Sequence, residues 1–271
     1  MASNTFDTDL LAKMDNVCVA EHETQKDADR QLADGIAKEE APKLDAMETG
    51  NQKVVPEFYN KAQKYWAEVP ATVNGMLGGL GYISAIDIQG SKNFLREIKV
   101  PGKKLALDCG AGIGRVSRNL LMPLFATVDL VEQDTAFAEK ARELCTSEAG
   151  SRRNSLGEIY NVGLQEFSPT HKYDLVWCQW VLGHLTDQDL VAFFRRMRRS
   201  LEPGAYFCMK ENVSSSKTII KDDEDSSVTR PLVLYEESLK EAGFRIVRKV
   251  RQQNFPKGLF PVYMIACRPK T

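Results

Sequence analysis

The sequence predicts an α/β fold, a seven-stranded and mostly parallel sheet with helices on both faces, and three observations carry that reading. Short β-rich apolar runs at 104–109, 127–132, 158–162, 173–178 and 205–210 alternate with stretches able to hold helices, the pattern of parallel strands joined by crossovers. A strongly amphipathic helix lies between the fourth and fifth runs. The last two runs, 244–250 and 262–268, have no helix between them, so they pair as an antiparallel hairpin at the sheet edge.

Residues 1–50 are polar, with only weak helical periodicity around Leu10, Leu11, Met14 and Val17. They hold 12 acidic and 5 basic residues, so an acidic appendage, disordered or loosely helical, precedes a mildly basic body. Residues 51–100 read as a helical segment: Phe58, Ala62, Tyr65 and Trp66 follow helical spacing, a glycine-rich stretch runs from Gly75 to Gly81, and a second helix reaches Arg96. Residues 101–271 hold the sheet. In the helix at 187–201, Thr186 stands three residues before Asp189 as a capping box, and Leu190, Phe193, Phe194, Met197 and Leu201 share one face. Pro203-Gly204 is expected to stop it. Its basic residues, Arg195, Arg196, Arg198 and Arg199, read as a solvated outer face, since no aromatic platform for nucleic acid accompanies them.

Composition excludes several classes. The chain of 271 residues has 36 basic and 37 acidic side chains, which favours neither a dedicated nucleic-acid binder nor a membrane-surface protein. Neither a signal sequence nor a run of about 18 apolar residues is present, so the reading is a soluble protein that is not secreted. Six scattered cysteines, at 18, 109, 145, 178, 208 and 267, read as small buried hydrophobes in a reducing compartment. His22, His171 and His184 lack ligand spacing, which argues against a metal site.

The most informative segment is Leu105-Ala106-Leu107-Asp108-Cys109-Gly110-Ala111-Gly112-Ile113-Gly114-Arg115, an apolar strand entering a turn with glycine at every second position. Glycine permits positive φ and close approach of a ligand to the backbone. Such spacing also occurs in ordinary loops. The dinucleotide pattern G-x-G-x-x-G needs a third glycine where Arg115 stands, so the turn fits a ligand with an adenosine and a charged tail but no pyrophosphate, as in S-adenosylmethionine. Glu132, at the end of the second strand, is placed to accept hydrogen bonds from ribose hydroxyls, and the Arg115 fork suits a carboxylate. Leu164-Gln165 falls where an adenine would be covered.

The fourth strand runs into Gln179-Trp180-Val181-Leu182-Gly183-His184 at the expected reaction centre. A lone histidine is usually structural, but His184 carries the imidazole able to titrate there near neutrality. Trp180 is either core or an aromatic wall for a substrate. The carboxylates of Asp222, Asp223, Glu224 and Asp225 form a loop over the expected substrate mouth, which suits a cationic substrate.

Together with Tyr65-Trp66, Gly75-Met76-Leu77-Gly78-Gly79, Gly163-Leu164-Gln165 and Asp225-Ser226-Ser227-Val228, these motifs resemble the eukaryotic protein α-N-terminal methyltransferases over residues 57–268. Those enzymes methylate the α-amine of proteins that begin X-Pro-Lys or X-Pro-Arg. The resemblance implies a Rossmann-like class I S-adenosylmethionine-dependent methyltransferase fold, with residues 51–100 capping the substrate groove of a catalytic domain at 101–271. It implies that Gly110, Gly112, Arg115, Glu132, Gln133, Leu164, Gln165 and Gln179 hold S-adenosylmethionine. His184 and Asp225 would act on the amine. Tyr65, Trp66, Leu77, Gly78, Ile83, Trp180, Asn212, Asp222 and Ser227 would hold the peptide. It further implies a nuclear and cytoplasmic protein with no direct nucleic-acid binding, and leaves oligomeric state open. Two positions depart from the pattern: Glu132 stands where the family usually has aspartate, and Phe260 where it has a substrate-contacting tyrosine. Methyl transfer to another amine, in a small molecule or a nucleic acid, and a non-catalytic adaptor of the same fold remain as alternatives.

Overall fold

A computed structural model describes residues 51–147 and 156–270; the acidic appendage, Cys18 and His22 lie outside them. From Gln52 on, the described residues pack as one compact unit. It begins with α1 (Asn51–Glu68), the short α2 (Val73–Met76), a 3₁₀ turn at Gly81–Ile83 and α3 (Ser84–Ile98). The sheet elements follow as β1 (Leu105–Cys109), β2 (Thr127–Val131), α4 (Thr135–Thr146), β3 (Leu156–Tyr160), β4 (Tyr173–Gln179), α5 (Asp187–Arg199) and β5 (Leu201–Asn212). A small hairpin, β6 (Ile220–Asp222) with β7 (Ser227–Thr229), precedes α6 (Leu232–Glu241), β8 (Phe244–Arg251) and β9 (Val262–Pro269).

The main sheet has seven strands in the order β3-β2-β1-β4-β5-β9-β8. Strands β1 to β5 are parallel, and β9 runs antiparallel to both β5 and β8, which is the expected edge hairpin. Strand order reverses between β1 and β4, where open α/β sheets leave a crevice beyond their carboxyl ends. Both faces of the sheet are covered. Phe193, Phe194 and Met197 of α5 and Tyr235 and Leu239 of α6 pack on Leu107, Val176 and Phe207. On the other face, Phe94 and Leu95 of α3 and Ala141 and Cys145 of α4 pack on Ala106, Leu130 and Trp177. Central strands buried on two sides need the near-continuous apolar runs that made them legible.

The α5 cap forms as the sequence predicts, with the Thr186 hydroxyl accepting the Asp189 N–H at 3.2 Å. The reciprocal half does not. The Asp189 carboxylate takes the Tyr59 hydroxyl at 2.5 Å instead, and that hydroxyl accepts the Thr186 N–H, so α1 completes the cap. Three expectations need correction. Leu201 belongs to β5, paired with Tyr173, and the helix ends at Arg199. Pro203-Gly204 therefore stops nothing: between Tyr173 and Leu175 the partner strand advances from Leu201 to Tyr206, and the extra residues bulge out. The link from β3 to β4 contains turns only.

The five described cysteines are free and buried. Among the described residues no helix is long and apolar enough to cross a membrane.

Candidate active site

Register assembles the first half of the site. Cys109 and Val131 end β1 and β2 level with Cys178, the penultimate residue of β4, so Gly110, Glu132 and Gln179 come side by side. Gly110, Gly112 and Gly114 adopt φ of 69°, 54° and 78°, as the sequence predicts. A Cβ at Gly110 would lie 2.4 Å from Val181, so the bare backbone lets two loops meet. The Gly112 N–H donates to Glu132 Oε2 at 2.7 Å and the Asp134 N–H to Oε1 at 2.9 Å. Glu132 therefore braces the turn while each oxygen keeps a lone pair for a hydroxyl. Burial raises its pKa, against the backbone N–H bonds that lower it.

These loops enclose a solvent-open cavity of about 980 Å³ whose wall includes Gly110, Gly112, Arg115, Glu132, Gln133, Leu164, Gln165 and Gln179, all eight of the predicted cofactor residues. Arg196 fixes one side of it. Its guanidinium donates to the carbonyls of Leu164, Gln165 and Phe167 at 2.8, 3.1 and 2.8 Å, so this arginine clamps the cavity wall rather than standing in solvent. Arg195 does face outward, paired with Glu241.

Asp87 was not legible from the sequence. This fully buried carboxylate on α3 meets Arg115 Nη1 at 2.7 Å, Lys210 Nζ at 2.6 Å and Gln179 Nε2 at 2.8 Å. The Gln179 carbonyl accepts from Trp177 Nε1, so its amide is engaged in both directions. No spacing signal could have found Asp87, because its partners lie 28, 92 and 123 residues away.

A second solvent-open cavity shares Trp180 with the first. Tyr65, Trp66, Leu77, Gly78 and Ile83 line it from the helical segment, and Trp180, His184, Asn212, Asp225 and Ser227 from the sheet side. Phe260 is part of the wall as well. Asp222 is not: it sits on exposed β6, where its Oδ1 accepts the Glu224 N–H at 2.9 Å. Its charge nevertheless acts on Tyr65 and His184, which line the cavity. The Ser226 hydroxyl donates to the Phe58 carbonyl at 3.0 Å and ties the acidic hairpin to α1.

Trp66, Met76, Trp180 and His184 line both cavities and form the partition between them. The chain there is tightly held. Trp180 takes φ of 53°, unusual for a bulky residue, just before the 3₁₀ turn at Leu182–His184. Buried Glu211 accepts the N–H groups of Val181 and Leu182 at 2.9 and 3.0 Å. Arg230 donates to the Leu182 and Leu185 carbonyls at 3.1 and 2.6 Å and pairs with Asp187 at 2.7 Å. Burial pushes the Glu211 carboxyl up to about 7, against the two N–H bonds and the Arg230 charge.

The Trp66 indole N–H donates to His184 Nε2 at 3.1 Å, which leaves the imidazole proton on Nδ1. Asp225 Oδ2 stands 4.0 Å from the same Nε2. Burial lowers the His184 pKa from its ordinary 6.5, opposed by Asp225, the Ser226 backbone and Asp222. Three buried polar atoms here lack a partner: Trp180 Nε1, His184 Nδ1 and Asp225 Oδ1. Unpaired polar atoms are rare inside proteins, and their gathering at one partition marks a place for a polar ligand.

Comparison with known proteins agrees with this geometry. Residues 55–268 match the family described as AdoMet-dependent proline di-methyltransferase. The chain belongs to this family. It is 78% identical to alpha N-terminal protein methyltransferase 1 of Drosophila melanogaster over 213 residues, which covers 79% of this chain and 77% of that protein. It is 46% identical to N-terminal Xaa-Pro-Lys N-methyltransferase 1-A of Xenopus laevis, covering 78% and 96%. A solved SAM-dependent methyltransferase of Leishmania major superposes with a TM-score of 0.73 at 39% identity, covering 79% of this chain and 85% of that one. The fold is thus the class I methyltransferase fold, and the family's methyl donor is S-adenosylmethionine.

Two outcomes follow. A Cβ at Gly114 would meet Cys145 Sγ at 2.9 Å with φ already positive, so Gly114→Ala lowers unfolding free energy by about 1–3 kcal/mol in urea titrations. A change within about 0.5 kcal/mol contradicts a required left-handed turn. The second concerns Trp66. Its N–H favours the neutral imidazole, so Trp66→Phe raises the His184 pKa by about half a unit or more in an NMR titration. A pKa that stays or falls shows that the indole does not hold Nε2.

Proposed function

We propose that this chain transfers methyl groups from S-adenosylmethionine to the α-amine of proteins with an exposed N-terminal X-Pro-Lys or X-Pro-Arg, giving mono-, di- or trimethylated N-termini. The observation that carries the proposal is the partition, where unpaired Trp180 Nε1 and His184 Nδ1 lie between two cavities, with unpaired Asp225 Oδ1 beside them in the second. The 46%-identical Xenopus laevis relative, named for the Xaa-Pro-Lys N-terminus, supports the choice of acceptor.

The first cavity fits the methyl donor. Its bare glycine turn leaves room for a bulky ligand against the backbone, Glu132 keeps lone pairs for ribose hydroxyls, and Arg115 offers a guanidinium to a carboxylate. Leu164 and Gln165 cover the adenine, with Gln133 and Gln179 on the flanking walls. When bound, S-adenosylmethionine supplies an electrophilic methyl group on a sulfonium centre.

The second cavity takes the peptide. Residues 51–100 act as its cap through Tyr65, Trp66, Leu77, Gly78 and Ile83, and Trp180 offers an aromatic wall to the proline ring. Asn212 and Ser227 supply polar contacts to the peptide backbone. An α-amine has a pKa of about 7.7–8.0, so at neutral pH most of it is protonated and has no lone pair. His184, kept neutral by burial, takes that proton at Nε2 once the Trp66 indole gives way. The N–H bond of the ammonium breaks, the Nε2–H bond forms, and Asp225 Oδ2 becomes the counter-charge for the imidazolium. The freed amine then faces the partition, where in-line placement of nucleophile, methyl and leaving sulfur supplies much of the rate. Asp222, outside the cavity wall, acts at longer range by attracting the lysine or arginine at the third position. On family analogy the protein works in nucleus and cytoplasm.

Mass spectrometry of an Ala-Pro-Lys peptide incubated with enzyme and S-adenosylmethionine tests the function. Masses rise in methyl steps on the free peptide and stay fixed on its N-acetylated form; methylation of both forms places the acceptor elsewhere. No methylation together with no cofactor binding by calorimetry points to an adaptor. Asp222→Asn raises the peptide KM about two- to fivefold, the scale of one exposed charge pair, with kcat little changed. A fall in kcat alone would remove Asp222 from substrate selection.

A further inference from the structure

The buried cluster around Asp87 has one carboxylate too few. Arg115 Nη1 and Lys210 Nζ both touch Asp87, at 2.7 and 2.6 Å, and both cations are shut away from solvent, Arg115 at 7% exposure and Lys210 at 0%. The remaining Lys210 partners are neutral: the Asp87 carbonyl at 2.9 Å, the Ser91 hydroxyl at 3.0 Å and the Gln252 carbonyl at 2.8 Å. Arg115 adds the Ser84 hydroxyl at 3.4 Å on the same nitrogen and the face of the Trp180 ring, 5.6 Å from its guanidinium carbon, neither of them an anion. The other carboxyl near Arg115, Asp108, is bonded to Ser117 and pushed up to about 7 by burial, so it is a weak counter-charge at neutral pH. Two buried cations sharing one carboxylate is a costly arrangement unless a second anion arrives. The site where it would arrive is the first cavity, which Arg115 lines and Lys210 does not reach.

We propose that Asp87 and Lys210 are positioning residues for the methyl donor: Lys210 draws off part of the Asp87 charge, so the Arg115 guanidinium stays fixed in place yet electrostatically unsatisfied, ready for the donor's carboxylate. The inference rests on the first cavity being the S-adenosylmethionine site. Asp87 alone would neutralise Arg115, and Arg115 alone would not be held. With both cations on one carboxylate, the guanidinium keeps its orientation and its appetite for an anion. The same carboxylate also orients Gln179, through contacts of 2.8 and 2.9 Å, so one α3 side chain arranges two walls of the cavity.

Calorimetry with S-adenosylmethionine and its decarboxylated form tests this, because the two ligands share adenosine, sulfonium and amine and differ only in the carboxylate. The full chain prefers the carboxylated form by about tenfold or more, the scale of one charge-assisted hydrogen bond. Lys210→Met, which replaces a buried cation by a similar apolar side chain and leaves Asp87 paired with Arg115, narrows that preference to about threefold or less, mainly by weakening the carboxylated ligand. Asp87→Asn, if it folds, narrows it too by releasing Arg115; Lys210→Met alone decides the matter if it does not. Parallel weakening of both ligands, with the ratio kept, would show a merely structural lysine and overturn the proposal, as would an unchanged Lys210→Met. If the unaltered chain binds neither ligand, the cofactor reading has failed instead.

Discussion

Everything at the junction of the two cavities depends on the grip that Glu211 and Arg230 keep on the turn at Leu182–His184. One takes the turn's N–H groups and the other its carbonyls, from opposite ends of the same short segment. The segment makes its own bonds from the His184 N–H to the Val181 carbonyl and from the Leu185 N–H to the Leu182 carbonyl, and the leading N–H groups of Val181 and Leu182, which such a turn leaves over, go to Glu211. With the grip in place, Trp180 is held at positive φ and His184 is presented at the partition. The imidazole is thereby positioned from behind, while its chemistry is set from in front by Trp66 and Asp225.

A second constraint ties the helical segment to the sheet. Asp87 on α3 reaches the ends of β4 and β5 and the turn after β1, and Tyr59 on α1 enters the cap of α5. The segment that lines the second cavity is therefore anchored by polar contacts to residues that line the first. Its packing is apolar as well, through Ile88, Phe94, Leu95 and Ile98. Sites built on rigid elements with such support keep their geometry better than sites on free loops. Glu132 shows the same economy at a smaller scale, since it fixes the glycine turn and keeps lone pairs for a ligand.

Legibility in the sequence followed the range of the interactions. The seven strands and α5 were readable because their signals, apolar runs and helical spacing, are local. The glycine turn was readable for the same reason, its positive φ values being a property of one residue type. Asp87, Lys210, Glu211 and Arg230 were not readable. Each looks like an ordinary charged residue, and only partners many tens of residues away make it structural. Pro203-Gly204 misled because a proline-glycine pair signals a stop in isolation, whereas here a bulge between β4 and β5 absorbs it. The arginine run on α5 misled in part, since Arg196 finds three carbonyls that no periodicity foretells. Asp222, which the motif places at the peptide groove, is exposed on β6 outside the wall of the second cavity, and its charge reaches Tyr65 and His184 in that wall.

The central claim is that donor and acceptor occupy separate cavities and meet at the partition of Trp66, Trp180 and His184. A crystal structure of the chain with S-adenosylhomocysteine and an unmethylated Ala-Pro-Lys peptide tests it most directly. The account predicts the donor product in the Gly110–Glu132 cavity, the proline against Trp180, and the α-amine within hydrogen-bond reach of His184 Nε2, with the Trp66 indole moved off that nitrogen. A peptide amine lying elsewhere while Trp66 still holds His184 would contradict it.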